Sequence, residues 1–251
     1  MTQIIEFKNL RGLLDKTNSD KGIVFVHGFE RTTIERKFKA MVDELKNKVN
    51  LFRFDFSACG LSDGSFEDFS VKKSTEELKL AVNVFIKKSD IKELILVGHS
   101  LGGCIILDYL KNNPDNLVCK ILFFAPALNQ KNLLRYYFVK GSKKDIDITW
   151  QNYQNFLDEE KFLQDAKKGT RMTKEHWLGN SYFLENLDQD YNNDLKKISQ
   201  RIFVVHGDRD DKVPIKSNSI KPNIVVSGGD HDLQRPDMIE QWLPQVIKFL
   251  N

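Results

Sequence analysis

The stretch 91-IKELILVGHSLGG-103 runs from an apolar segment straight into a glycine-rich turn with one serine at its centre. A continuous apolar run such as 93-ELILV-97 reads as a strand covered on both faces. The next segment, 101-LGGCIILDYLKNNP-114, reads as a helix whose early glycines let it approach the sheet closely. A serine in G-x-S-x-G between strand and helix sits on a sharp, strained turn with its hydroxyl pushed outward. Gly98 and Gly102 are then needed because neighbouring backbone leaves no room for side chains. The helix after the turn points its first N–H groups at the place where an oxyanion would form. Alone the five-residue pattern is common; the strand before it and the helix after it make it specific.

Outward from this turn, short β-like runs alternate with helical patterns, the signature of βαβ units and a mostly parallel sheet. The expected strands cover 3–7, 10–15, 23–28, 50–56, 93–98, 120–126, 201–207 and 223–228. The expected helices cover about 34–48, 74–88, 101–112 and 236–250. In 74–88, Leu78, Val82 and Phe85 share one face, and Ser74 with Glu77 reads as a capping box. The alternation breaks between Pro126 and Arg201, where more than seventy residues intervene. That segment holds Trp150, Trp177 and every tyrosine except Tyr109, and 154–168 has helical character. It reads as a folded cap insert, 129–195, on a core made of 1–128 and 196–251. An insert at one end of an open sheet roofs the crevice where ligands bind.

A serine hydroxyl needs a base to take its proton, and the base needs an orienting acid. The chain order to look for is Ser, then Asp or Glu, then His. After 201-RIFVVHG-207 comes the acidic loop 208-DRDDKVP-214, and His231 is the only histidine downstream of it. Both come just after expected strand ends. Parallel strands bring such ends to one sheet edge, so Ser100, an aspartate of 208–211 and His231 can converge.

With 26-VHGF-29, 55-DFSACGLSDG-64, GHSLGG and 206-HGDRDDKVP-214 in order before a late histidine, the chain resembles the α/β-hydrolases over nearly its full length. The resemblance implies that Asp210 is the acid of a triad with Ser100 and His231. It also implies an oxyanion hole made of the Phe29 and Leu101 backbone N–H groups. One departure is Ala58, which stands where the family pattern D-x-x-G-x-G-x-S has its first glycine. The H-G-F loop, 60-GLSDGSFED-68 and the cap position are similar to small feruloyl or cinnamoyl esterases, which implies hydroxycinnamoyl esters as substrates.

Other residues receive plainer readings. His27 and His206 precede glycines at strand ends and read as structural, His99 as a support behind its neighbour, and His176 as packing. Asp208 and Asp211 read as loop-capping or solvated carboxylates. The aromatics Trp150, Tyr136 and Tyr137 divide between the insert's own core and substrate contact. The stretch 131–144 has five basic and no acidic residues and reads as a solvated face.

A net charge of +3 from 38 basic and 35 acidic side chains gives no basic field, so nucleic acid is not an expected partner. The longest apolar run, 121-ILFFAPAL-128, is too short to cross a bilayer. Cys59, Cys104 and Cys119 have no C-x-x-C spacing and read as free thiols packed as apolar fillers. With no secretory signal in the first residues, the expected location is cytoplasmic. No His/Asp/Glu cluster has metal spacing, so neither metal nor cofactor is expected.

The leading expectation is therefore a serine hydrolase cleaving small-molecule esters through an acyl-enzyme. Peptidase and thioesterase activities are alternatives on the same machinery. A dehalogenase or epoxide hydrolase would need a carboxylate at position 100, and the lack of an obvious apolar lid helix speaks against a lipase. From another class, the rival is a hydrolase fold that has become a ligand-binding protein.

Overall fold

Along β3 (Lys21–Val26), Ile23 and Phe25 join one apolar cluster while Val24 and Val26 join another. In β5 (Glu93–His99), Leu94 and Leu96 divide from Ile95 and Val97 in the same way. This is the two-residue period of a strand buried on both sides. The computed structural model describes residues 1–114 and 117–251. All eight expected strands enter one sheet, in the order β1 (Thr2–Phe7), β2 (Leu10–Asp15), β4 (Asn50–Asp55), β3, β5, β6 (Val118–Phe124), β9 (Arg201–Gly207), β10 (Ile224–Val226). The β1–β2 and β2–β4 pairs are antiparallel and the rest parallel.

Helices α1 (Arg36–Leu45) and α8 (Pro236–Leu250) cover one face. The side chains Phe38, Met41, Val42 and Leu45 of α1, and Met238, Trp242, Val246 and Leu250 of α8, are buried at helical spacing. Helices α2 (Val71–Ser89) and α3 (Gly102–Asn112) cover the other. The α2 helix starts three residues earlier than expected, and Ser74 with Glu77 is not its cap. Ser70 is the cap, accepting from the Lys73 N–H at 3.1 Å. Ser74 is buried within the helix, and Glu77 instead accepts from the Ser57 N–H at 3.0 Å and from its hydroxyl.

Between β6 and β9 lie α4 (Gln130–Ser142), a 3-10 turn at Tyr153–Phe156, α5 (Glu159–Ala166), the hairpin β7 (Arg171–Met172) and β8 (Trp177–Leu178), α6 (Ser181–Asn186) and α7 (Asn192–Leu195). The helix expected over 154–168 is confined to α5. Asp158 caps it through the Lys161 N–H at 3.1 Å, and the chain turns just before that point. Tyr136, Val139, Ile148 and Tyr153 form a small core of their own, with Trp150 packed on it. Phe162, Leu178, Tyr182 and Tyr191 instead join the large cluster under α2 and α3. The segment is thus fastened to the sheet by apolar packing. Cys59 and Cys104 are buried, whereas Cys119 is half-buried and not a full core filler; all three are free thiols.

Candidate active site

Because β3, β5, β6, β9 and β10 are parallel, their carboxyl ends share one edge, and four of the loops that leave this edge carry Phe29, Ser100, Asp210 and His231. Ser100 lies between β5 and α3 with φ +54°, a left-handed conformation that costs a side-chain-bearing residue about 1–2 kcal/mol. The turn is held by the Ser100 N–H on the Phe124 carbonyl at 2.9 Å. The Ser100 carbonyl accepts from the Gly103 and Ala127 N–H groups, each at 3.0 Å. Both flanking glycines serve close approach. A Cβ on Gly102 would lie 2.3 Å from the Val26 carbonyl oxygen, and one on Gly98 would meet Ile106 at 2.7 Å.

Ser100 Oγ is 2.9 Å from His231 Nε2, and His231 Nδ1 is 2.8 Å from Asp210 Oδ2. A carboxylate can only accept, so Nδ1 carries the proton and Nε2 offers its lone pair to the serine hydroxyl. Asp210 Oδ1 accepts from the Lys212 and Val213 N–H groups at 3.0 and 2.8 Å. Burial opposes ionisation of Asp210, but hydrogen bonds from His206 and His231 and the Val213 N–H hold its carboxyl well below the usual range. His206 is therefore more than a strand-end packing residue. Its Nε2–H is shared between the Val213 carbonyl at 2.8 Å and Asp210 Oδ2 at 3.3 Å. No sequence pattern marks it apart from its place four residues before Asp210.

His27 is structural: Nδ1–H donates to the Gly28 carbonyl at 2.9 Å and Nε2 accepts from the Phe56 N–H at 3.0 Å. His176 stacks on Phe66 and places Nδ1 3.2 Å from Glu30. Asp211 pairs with Lys140 at 3.1 Å. In the basic stretch, Lys131 pairs with Asp188 at 3.7 Å and Arg135 with Glu159 at 2.5 Å.

A cavity of about 910 Å³ opens over Ser100 and His231, lined in part by Phe29, Leu101, Tyr137, Phe138, Phe162 and Tyr182. Of the three aromatics marked from sequence, Tyr137 lines it, while Tyr136 and Trp150 do not. Those two pack in the small aromatic core with Tyr153, ring centroids 5.2–5.8 Å apart. The Phe29 ring is clamped by Phe66, Phe69 and Tyr182 at 5.2, 5.3 and 5.4 Å, which fixes the loop that carries it along the cavity wall. No group of His, Cys, Asp and Glu suited to a metal occurs among the described residues, and no helix there is long and apolar enough to cross a membrane.

A family model described as Serine aminopeptidase, S33 matches residues 17–221. The putative esterase/lipase 3 of Mycoplasma genitalium is 24% identical over 236 residues, covering 84% of this chain and 81% of that protein. Est1E from Butyrivibrio proteoclasticus, solved also with ferulic acid bound, matches with a TM-score of 0.71 at 18% identity, covering 99% of this chain and 97% of that one. Alpha/beta hydrolase domain-containing protein 10 from mouse matches with a TM-score of 0.69 at 18% identity, covering 100% and 98%. At such identities the likeness to solved structures is one of fold.

Proposed function

The chain belongs to the Hydrolase_4 family and has the α/β-hydrolase fold, and from that premise we propose that this serine ester hydrolase works through a triad of Ser100, His231 and Asp210. The observation that carries the proposal is the unbroken hydrogen-bond line from Ser100 Oγ through His231 to Asp210, at 2.9 and 2.8 Å. As Ser100 Oγ attacks the ester carbonyl, its proton passes to His231 Nε2, and Asp210 stabilises the imidazolium without taking the proton. The Phe29 and Leu101 N–H groups stabilise the oxyanion. The imidazolium then protonates the leaving alcohol, leaving Ser100 acylated. Water, deprotonated by the same His231, releases the acid and restores the serine.

The segment 129–195 is the cap that selects the acyl group, since α4, α5, β7 and α6 all contribute to the cavity lining. Its aromatic walls suit hydroxycinnamoyl esters, in keeping with ferulic acid bound to Est1E. A second reading is favoured by size. About 910 Å³ lies near the top of the roughly 300–1,000 Å³ range for ligand pockets, so a longer aliphatic acyl chain also fits.

A fluorophosphonate probe should add one adduct to the protein and none to Ser100→Ala. Equal labelling of the variant would sink the triad. Rates on p-nitrophenyl acetate and octanoate, methyl ferulate, an acyl-CoA and an aminoacyl amide assign the acyl class. A ferulate preference supports the hydroxycinnamoyl reading, and an octanoate preference the aliphatic one. Fastest turnover of the amide would instead make this a peptidase.

A further inference from the structure

His231 lies on the loop between β10 and α8, outside any regular element, yet its ring must stay aligned between Ser100 and Asp210. Two consecutive carbonyls of that loop are held from the interior. The His231 carbonyl accepts from His99 Nε2–H at 3.0 Å, and the Asp232 carbonyl from the Lys37 ammonium at 3.0 Å. Both donors converge on one carboxylate. Glu35 Oε1 lies 2.8 Å from Lys37 Nζ and 3.6 Å from His99 Nδ1. Arg31 adds a bond to the Asp232 side chain at 2.5 Å.

The Lys37 and His99 side chains are fully buried, and Glu35 nearly so. A buried ion pair is an expensive way to fill space, because both ions lose their hydration, and an apolar pair of similar volume commonly serves stability as well or better. What an apolar side chain cannot do is donate to a loop carbonyl.

We propose that Lys37, Glu35 and His99 form a positioning device that fixes the backbone of the loop bearing the base, and so holds the His231 imidazole against Ser100. The inference rests on the triad reading. Lys37 supplies the bond to Asp232, Glu35 keeps its ammonium charged and aimed, and His99 supplies the bond to His231. Burial, together with the charge of Lys37, pushes the His99 imidazole down to about 4, so it stays neutral near pH 7 with its proton on Nε2.

The test compares the fluorophosphonate labelling rate, kcat and KM on p-nitrophenyl acetate, and Tm of the full chain. Lys37→Met alone strands the Glu35 charge, and loss of folding would mask its effect. The double variant Glu35→Gln/Lys37→Met removes both charges. It is expected to melt near the wild type while labelling and kcat fall about tenfold or more and KM holds, as for a base displaced by a fraction of an ångström. A second pair is independent of the ion pair. His99→Phe keeps the bulk but loses the donor and should fall likewise, whereas His99→Gln, with an amide N–H of similar reach, should recover most of the rate. Labelling of the double variant or of His99→Phe within about twofold of wild type overturns the inference. Equal labelling of Ser100→Ala overturns the triad, and the inference with it.

Discussion

At the scale of the residue, Ser100 and Ala58 share an uncommon backbone, but His99 carries the more easily measured consequence. Its ring is fully buried against Lys37, Glu35 and His231, and its folded value near 4 lies below the ordinary 6.5. Between those two values the unfolded chain binds a proton that the folded chain refuses, so stability is lost as the pH falls through that window. Buried His27, also lowered, acts in the same direction. Asp210 and Glu35, held below the usual carboxylate range, add their loss only at more acid pH. Tm should therefore fall steadily from pH 7 to 4.5, and His99→Gln should flatten that slope; a slope unchanged by the variant would remove His99 as its cause. The sequence marks His99 as a support behind Ser100, but not its burial or its partners. Ser100 stands out by its turn motif and His231 as the only histidine after the acidic loop, whereas the family resemblance, not position, singles out Asp210 among the aspartates of 208–211. Lys37 in 34-IERK-37 looks like any charge at a helix start, and only packing turns it inward.

At the scale of the element, local chemistry reads well where one competing signal dominates and poorly where two are close together. Eight strands were legible because their apolar runs admit little else, whereas α2 had two serines four apart and the upstream one took the cap. The loop after β4 offers a sharper case. Ala58, which replaces a glycine of the family pattern, holds φ +62° with its N–H on the Asp63 carbonyl at 3.1 Å. An L-residue there pays about 1–2 kcal/mol, and glycine would return about half of that gain in unfolded-chain entropy. Ala58→Gly should thus stabilise the protein by ~0.5–1 kcal/mol, raising Tm by about 1–2 °C in calorimetry at this chain size. A lower Tm would mean that the alanine methyl has packing value that outweighs its strain.

At the scale of the whole molecule, the cavity exists only because α4, α5, β7 and α6 fold back over the sheet edge. Gly141 in α4 lines it, and a Cβ added there would meet nothing within 4 Å. Gly141→Leu should therefore add side-chain volume at the cavity wall, starting from a Cβ with open space around it, and raise helix propensity by up to about 1 kcal/mol. We expect Tm to hold or rise. Rates on octanoate or ferulate esters should fall about tenfold, since each excluded methylene is worth ~0.8 kcal/mol, while the acetate ester is turned over much as before. Equal loss on all esters would place Gly141 away from the acyl path. By itself the sequence determined the mostly parallel sheet, the turn at Ser100 and the chain order of serine, aspartate and histidine, because strand periodicity and turn chemistry are local. Only the tertiary structure decided that Tyr137 faces the cavity while Tyr136 and Trp150 face a core, and that His206, Lys37, Glu35 and His99 surround the base and its acid. Those assignments depend on which surfaces of distant segments are buried against one another, and no local pattern encodes that.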